Sequence, residues 1–315
     1  IRAALRGGVC IFWRLIMART ERTDIHQSVT DRIIRELEAG TVPWVCPWNR
    51  AKCGIALPRN AATDRAYSGI NILMLWGSVE MQGFSTQKWL TFRQAHAQGG
   101  NVRKGEKGTT VFYADRFTPK SEAGSDEPRQ IPFLKRFTVF NLDQCENLPE
   151  SMVAPTAPLP EREIVPHAEA LMRETGADIR IGGDKAFYAP DADFIRVPPQ
   201  QSYFNQIDWY RTVFHEIGHW TGAESRLSRT FGRRFGDHAY AAEELVAEMT
   251  SAFVCAELQI EPTVRHADYI GNWLELLKAD KRAIFTAASA ASAAAQYIFS
   301  SSTRQPSVED VASAA

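Results

Sequence analysis

Apolar residues recur at Ile25, Val29, Ile33 and Leu37, a four-residue spacing that shares one face of a helix. The spacing predicts an amphipathic helix over Thr23–Gly40, with Gly40 suited to the position just past its C-terminus. The pattern then changes. Pro43-Trp44 and Pro47-Trp48 open a Trp/Pro-rich passage, followed by basic loops and short strand-like runs at Thr109–Tyr113 and Phe137–Asn141. Between those runs, Thr118–Pro132 is rich in Ser, Glu, Pro, Lys and Gly and reads as a solvated loop. Farther on, the pattern predicts a helix over Glu161–Thr175 and a strand pair within Ala186–Val197, turning at Pro190-Asp191-Ala192-Asp193. Helices follow at Trp209–Thr221 and Tyr240–Leu258, with one or two more within Val264–Phe299, where the Ala-rich run Ala287–Ala295 favours helix. The polar tail after Ser300 is expected to fray.

Leu148–Pro160 holds four prolines in thirteen residues, the composition of a stiff, extended linker. A chain of 315 residues is long enough for two cores, and no internal repeat is visible. The expected plan is therefore a first domain over 17–148, a linker over 149–160, a second domain over 161–300 and a tail over 301–315. Residues 1–16 are expected to lie outside the fold. Their apolar run Val9–Trp13 is broken by Arg14, no small-residue cleavage site follows, and Met17 reads as an ordinary start. That run is also far short of the ~20 residues of a membrane span.

Composition is that of a soluble globular protein, 44% hydrophobic and 23% charged. The net charge of −1 conceals an asymmetry. Residues 1–150 carry 21 basic and 15 acidic groups, whereas residues 151–315 carry 15 and 22. Only the first half is suited to meet a polyanion. The five cysteines (Cys10, Cys46, Cys53, Cys145, Cys255) form no C-x-x-C pair, which suits reduced thiols and a cytoplasmic location.

The strongest chemical signal is Phe214-His215-Glu216-Ile217-Gly218-His219-Trp220. Histidines four apart on a helix project one turn apart from the same face and can share one tetrahedral Zn²⁺. Glu216, next to the first ligand, is the candidate catalytic base for a water acidified toward a pKa of ~7 by the metal. The same five residues can occur by chance on a core helix. Gly222 just past the helix and the strand pattern before it favour the metal site.

The third ligand sets the subclass. In H-E-x-x-H-x-x-G-x-x-H, Gly222 falls in place but the final position is Ser225, so metzincin ligation is rejected. Glu244-Leu245-Val246-Ala247-Glu248 resembles instead the gluzincin pattern, whose first Glu binds metal and whose residue one turn later steadies a histidine. Glu244 is assigned as third ligand and Glu248 as the residue behind a histidine; exchange of the two, or His238 as ligand, are the alternatives. A donor to a transition-state oxyanion is expected among Tyr188, Tyr203, Tyr210, Arg226 and Tyr240.

Between Arg50 and Arg136 there are 14 basic against 7 acidic residues. Around and among them stand Trp44, Trp48, Tyr67, Trp76, Phe84, Trp89, Phe92, Phe112 and Tyr113. Cations for phosphates and rings for bases are what a single-strand binder requires, although many such rings are core in a domain of this size. The densest piece, Gly99-Gly100-Asn101-Val102-Arg103-Lys104-Gly105-Glu106-Lys107-Gly108, is a Gly-rich basic loop whose amides can approach phosphates. It lacks the Gly-Lys-Ser/Thr ending of a P-loop. The candidate nucleic-acid contacts are Arg59, Trp89, Arg93, Arg103, Lys104 and Lys107.

Several longer segments carry a family resemblance. In the first half they are Ile33–Trp44 with Pro47-Trp48, Pro58-Arg59-Asn60-Ala61, Tyr67–Asn71, Trp89–Ala95 and Val102–Gly108. In the second they are Phe214–Gly222, Ser225-Arg226-Leu227, Tyr240–Glu248 and Asp280–Ile284. Over Asp24–Phe299 the chain resembles the ArdC-type antirestriction proteins of conjugative plasmids and phages, and its N-terminal half is similar to a domain of TraC-type primases. The resemblance implies an α+β protein of two domains: a small α+β domain binding single-stranded DNA, and a mostly helical, zincin-like (gluzincin-type) metallopeptidase domain holding Zn²⁺. It implies protection of incoming DNA from restriction. Double-stranded DNA and a host restriction enzyme or another DNA-associated protein are further candidate partners, and no membrane is expected. The competing readings are a non-enzymatic DNA-binding blocker with structural zinc and a primase accessory protein of conjugation.

Overall fold

The computed structural model describes residues 24–45, 53–117, 131–153, 161–230, 238–261 and 269–301. The expected leader, most of the Pro-rich stretch, most of the 118–132 loop, the tail, and Trp48, Cys10 and Cys46 lie outside the described residues.

Helix α1 spans Ile25–Glu38 and is capped by the Asp24 side chain, which accepts from His26 N and Gln27 N. Its Val29, Ile33 and Leu37 face is buried as the spacing predicts. Strand β1 (Arg59–Asn60) leads to α2 (Ile70–Gln82), a helix the pattern did not predict. The reason is burial: Ile72 through Trp76 are all buried, so apolar residues surround the axis and leave no period to read. Then come β2 (Lys88–Thr91), α3 (Phe92–Ala97), β3 (Asn101–Val102), β4 (Thr109–Phe117), β5 (Ile131–Asn141) and β6 (Cys145–Glu146). The main sheet has the order β1-β2-β5-β4, parallel at β1–β2 and antiparallel elsewhere. Because β2 pairs only with residues 139–141 of β5, the β4–β5 hairpin continues past it as a two-stranded ribbon.

Within the expected linker, Glu150–Val153 form a short helix, α4. Helix α5 (Glu161–Glu174) precedes a three-stranded sheet of order β7-β9-β8, built from β7 (Asp178–Ile181), β8 (Phe187–Ala189) and β9 (Phe194–Val197). β8–β9 is the predicted pair, and β7 adds a parallel neighbour to β9. Among the described residues, four α-helices follow: α6 (Gln206–Trp220), α7 (His238–Glu257), α8 (Ile270–Ala279) and α9 (Ala283–Ser301). α6 lies against the small sheet, α7 packs along α6, and α9 packs along α7.

One buried cluster joins the two halves of the chain, from Val29, Ile33, Leu37 and Trp44 to Trp273, Leu277 and Ile284. Aromatic pairs stitch the join: Trp44 on Trp273 with centroids 5.2 Å apart, Trp76 on Phe253 at 5.8 Å and Phe112 on Phe285 at 6.1 Å. Polar contacts flank them, with Gly69 N donating to Ser292 Oγ at 2.7 Å and Thr30 Oγ1 to Lys281 O at 2.7 Å. The described cysteines are all free, and burial pushes Cys53 and Cys255 up to about 12, which keeps these thiols protonated and inert. Among the described residues no helix is long and apolar enough to cross a membrane.

Candidate metal centre

Helix α6 is buried from Trp209 through Gly218, so its histidines point into protein rather than water. Helix α7 brings three glutamates to meet them. Glu243, Glu244 and Glu248 are only 6%, 6% and 3% exposed, which excludes a solvated helix face. Buried carboxylates persist only with partners, and these have them.

Glu244 lies between the two histidines. Its Oε2 is 3.6 Å from His215 Nε2 and its Oε1 is 3.6 Å from His219 Nε2. Ligand atoms of His215, His219 and Glu244 all lie within 4.8 Å of one another. Bonds of about 2.0–2.1 Å in a tetrahedral shell put donors about 3.3–3.5 Å apart, so this donor set fits a divalent cation in chemistry and in spacing. The other ring nitrogens face outward to further carboxylates: His215 Nδ1 is 3.7 Å from Glu248 Oε1, and His219 Nδ1 is 3.2 Å from Glu243 Oε1. Of the two assigned glutamates, Glu244 thus faces both Nε2 atoms and Glu248 stands behind His215. Ser225 and His238 are exposed. Glu216 is buried, and its charge acts on His219.

The electrostatics follow from this crowding. Burial disfavours a charged His219, but the hydrogen bond to Glu243 and the charges of Glu244, Glu243 and Glu216 outweigh it and raise the imidazole to about 9. Burial likewise opposes ionised Glu244, yet the adjacent His215 and His219 imidazoles bring it down to about 2. Close helix contact sets the geometry. A Cβ on Gly218 would stand 3.2 Å from Ala247 Cα and 3.3 Å from Thr250 Cβ, so glycine lets α7 approach α6.

Of the five oxyanion candidates, Tyr240 hydrogen-bonds Glu244, and its hydroxyl lies 3.1 Å from that of Tyr269. Burial and these neighbours push the Tyr240 hydroxyl far up, so it stays a proton donor. Tyr188 and Arg226 are tied to Asp193, Tyr210 donates to Glu169, and Tyr203 is half-buried. Glu243 and Arg229, which forks onto it, were missed in the sequence. Glu243 stands with Glu244 and Glu248 among the helix glutamates that the sequence offers but takes no role in the gluzincin pattern, whereas nothing in the local sequence marks Arg229.

The basic half divides differently from its composition. Trp89 is fully buried and packs edge-on against Phe84, so its ring cannot stack on a base; this corrects its assignment as a DNA contact. Trp44, Trp76, Phe84 and Phe112 are core as well. Arg59 pairs with Glu257, and Arg103 with Glu106 at 2.8 Å and with Asp143 O, so both spend charge on the protein. Gly108 serves packing, since a Cβ there would meet Val139 O at 2.8 Å. Arg93, Lys104 and Lys107 are exposed. So are rings the assignment missed: Phe92 at 59%, and Tyr113 at 50% and Phe137 at 46% on the β4–β5 ribbon beside Lys135 and Arg136. Tyr113 and Phe137 stand edge-to-face, centroids 6.4 Å apart.

Comparison with known proteins follows this division. Residues 23–140 match the family model of the N-terminal domain of anti-restriction factor ArdC, and residues 166–290 match that of a zincin-like metallopeptidase. The uncharacterized protein y4eC of Sinorhizobium fredii (strain NBRC 101917 / NGR234) is 39% identical over 286 residues, which is 88% of this chain and 92% of that one. A DNA primase TraC of Escherichia coli is 38% identical over 285 residues, 84% of this chain but 26% of the primase, so the chain spans about a quarter of that protein. The metal-free crystal structure of antirestriction protein ArdC from the R388 plasmid superimposes with a TM-score of 0.76 at 40% identity, over 89% of this chain and 98% of that one. Its Mn(II)-bound structure gives 0.75 at 39% identity, over 89% and 99%.

Proposed function

Because the chain belongs to the ArdC antirestriction family, we propose that it binds single-stranded DNA through its basic half and carries a divalent-metal peptidase-type site, together protecting incoming DNA from a host restriction enzyme. The observation that carries the metal half of this reading is the meeting of His215, His219 and Glu244 inside the protein. Relatedness to a protein with a Mn(II)-bound structure supports a divalent ion, and two imidazoles with one carboxylate suit Zn²⁺. When bound, the ion supplies Lewis acidity, acidifying water and polarising a carbonyl. The chain's own residues do the rest. His215, His219 and Glu244 would hold the cation, Glu248 and Glu243 would fix the imidazoles, and the Glu216 carboxylate would take a proton from the attacking water and pass it to the leaving amine. Tyr240, kept protonated, donates to the developing oxyanion.

The presence of Glu216 beside His215 favours an enzyme over a blocker with structural zinc, because a closed structural site needs no base. The test is Glu216→Gln in the full chain, with metal content measured. Peptide-bond cleavage should fall by roughly 10²–10⁴-fold while metal stays bound. Loss of cleavage with full protection of DNA would make occlusion, not proteolysis, the working mechanism.

For DNA, the exposed rings and cations of the β4–β5 ribbon and of Phe92-Arg93 support stacking with phosphate pairing. Each base–ring stack contributes about 1–3 kcal/mol. Tyr113→Ala with Phe137→Ala should therefore weaken binding of a labelled single-stranded oligonucleotide by at least about tenfold. Wild-type binding should also fall steeply with salt. Failure of the wild type to bind at low salt would remove the DNA reading altogether.

A further inference from the structure

We infer that Arg229 is a positioning residue of the metal centre, acting through Glu243 on His219; the inference rests on the reading that His215, His219 and Glu244 hold a divalent cation. Arg229 belongs to neither helix of the site. The turn after α6 delivers it: Ser228 N donates to Ala223 O at 2.9 Å with Ser228 in the left-handed region at φ 49°, and Arg229 N donates to Gly222 O at 2.8 Å.

From there the guanidinium reaches back across the site. Nε donates to Glu243 Oε2 at 3.0 Å and Nη2 to Glu243 Oε1 at 2.7 Å, the two-pronged pairing that suits a carboxylate. Nη2 also donates to Gly218 O at 2.6 Å, and Nη1 to Thr221 Oγ1 at 2.9 Å. One side chain thereby ties the last turn of α6, including the residue before His219, to the glutamate next to Glu244. The side chain is 11% exposed and its partner 6%, so water does little to screen the pair.

The consequence falls on His219. Glu243, held as a carboxylate by the fork, has only acceptor oxygens, and its Oε1 is 3.2 Å from His219 Nδ1. That nitrogen therefore keeps its proton when metal binds, which leaves Nε2, on the Glu244 side, as the atom offered to the cation. The fork also decides which glutamate is a ligand. Glu243, Glu244, Glu248 and Glu216 are all buried around two imidazoles. Without the guanidinium, the Glu243 carboxylate is one more anionic group free to swing onto the cation. Lysine offers a point charge in place of the fork and cannot serve Glu243, Gly218 and Thr221 together.

The experiment uses the full chain, stripped of metal by chelation and titrated calorimetrically with Zn²⁺ and with Mn²⁺. Wild type is compared with Arg229→Met, Arg229→Lys, Glu243→Gln and the Arg229→Met/Glu243→Gln double variant, and the thermal midpoint of each metal-free protein is recorded. Arg229→Met and Glu243→Gln should each weaken binding by roughly 10- to 100-fold, with partial recovery in Arg229→Lys. Because the two act in series, the double variant should bind within about twofold of the weaker single one. Affinity for Arg229→Met within about twofold of wild type would overturn the inference, as would losses that multiply in the double variant. If Arg229→Met does not fold, Arg229→Lys and Glu243→Gln carry the same test: unchanged affinity in both overturns it. A wild type that takes up neither ion refutes the metal reading itself, a result seen before any variant is made.

Discussion

His219 has a carboxylate at each ring nitrogen, Glu243 at 3.2 Å and Glu244 at 3.6 Å, and these favour its charged form in the metal-free centre. With its value raised to about 9, His219 is protonated at pH 7, but a ligand needs Nε2 bare. Metal uptake at pH 7 should therefore release close to one proton from His219, and the release should vanish above about pH 9. Zn²⁺ titrations in buffers of different ionisation enthalpy measure this directly; an apparent enthalpy independent of buffer would refute it. The signs for the metal-free fold follow. A raised histidine stabilises fully below its unfolded value of 6.5 and loses that contribution as pH rises through about 9. Depressed Glu244 stabilises fully above 4.5 and loses its contribution as pH falls toward about 2. Both act in full only between those unfolded values. At this scale the sequence was legible where spacing encodes direction: four residues apart on a helix means one face, which singled out His215 and His219, while resemblance to the gluzincin pattern singled out Glu244 and Glu248. It was illegible where depth decides. Glu243 has the same local appearance as an exposed helix charge, and Trp89 the same as a stacking ring, until burial separates them.

The contact between α6 and α7 is what turns two helices into a metal centre, and Gly218 sets how close they come. Helix propensity alone favours alanine over glycine by about 1 kcal/mol. Here the space is taken by backbone, Ala247 Cα at 3.2 Å and Ala247 O at 3.4 Å, which cannot rotate away. Gly218→Ala must therefore shift α7 by a few tenths of an ångström, and Glu244, one turn before Ala247, moves with it. The expected result is metal affinity lowered by about tenfold with the helical circular dichroism unchanged. Affinity equal to or tighter than wild type would show that the helices have slack. The amphipathic elements α1, α6 and α7 were read close to their observed ends, and the Ala-rich run Ala287–Ala295 placed a helix within α9 without setting its ends. α2 was missed because a helix buried all round shows no apolar period. The full length of β4 and β5 was missed because strand pairing beyond the sheet depends on the partner, not on local sequence.

A Pro-rich stretch, a charge asymmetry and two family matches all divide the chain in two, yet the packing does not part there. The buried face of α1 and the rings of Trp44, Trp76 and Phe112 are completed by Trp273, Phe253 and Phe285 from the other half. Composition recorded those rings as candidates for stacking on bases, but a ring's partner in the other half of the chain is invisible in any local window. The energetic consequence is cooperativity. Removing either half exposes apolar surface at about 25 cal/mol per Å², so neither half can melt without destabilising the other. Scanning calorimetry of the full chain should show one transition. Saturating Zn²⁺, which binds the folded centre, should raise that single transition, by about 2.7 kcal/mol of added stability at a hundredfold excess over Kd. Two independent domains would give two transitions with only the one containing His215, His219 and Glu244 moving. A single peak that shifts as a whole would mean that cation binding on α6 and α7 also stabilises the half bearing the β4–β5 ribbon. Reciprocity then requires single-stranded DNA, if it favours the folded ribbon, to stabilise the metal centre in return.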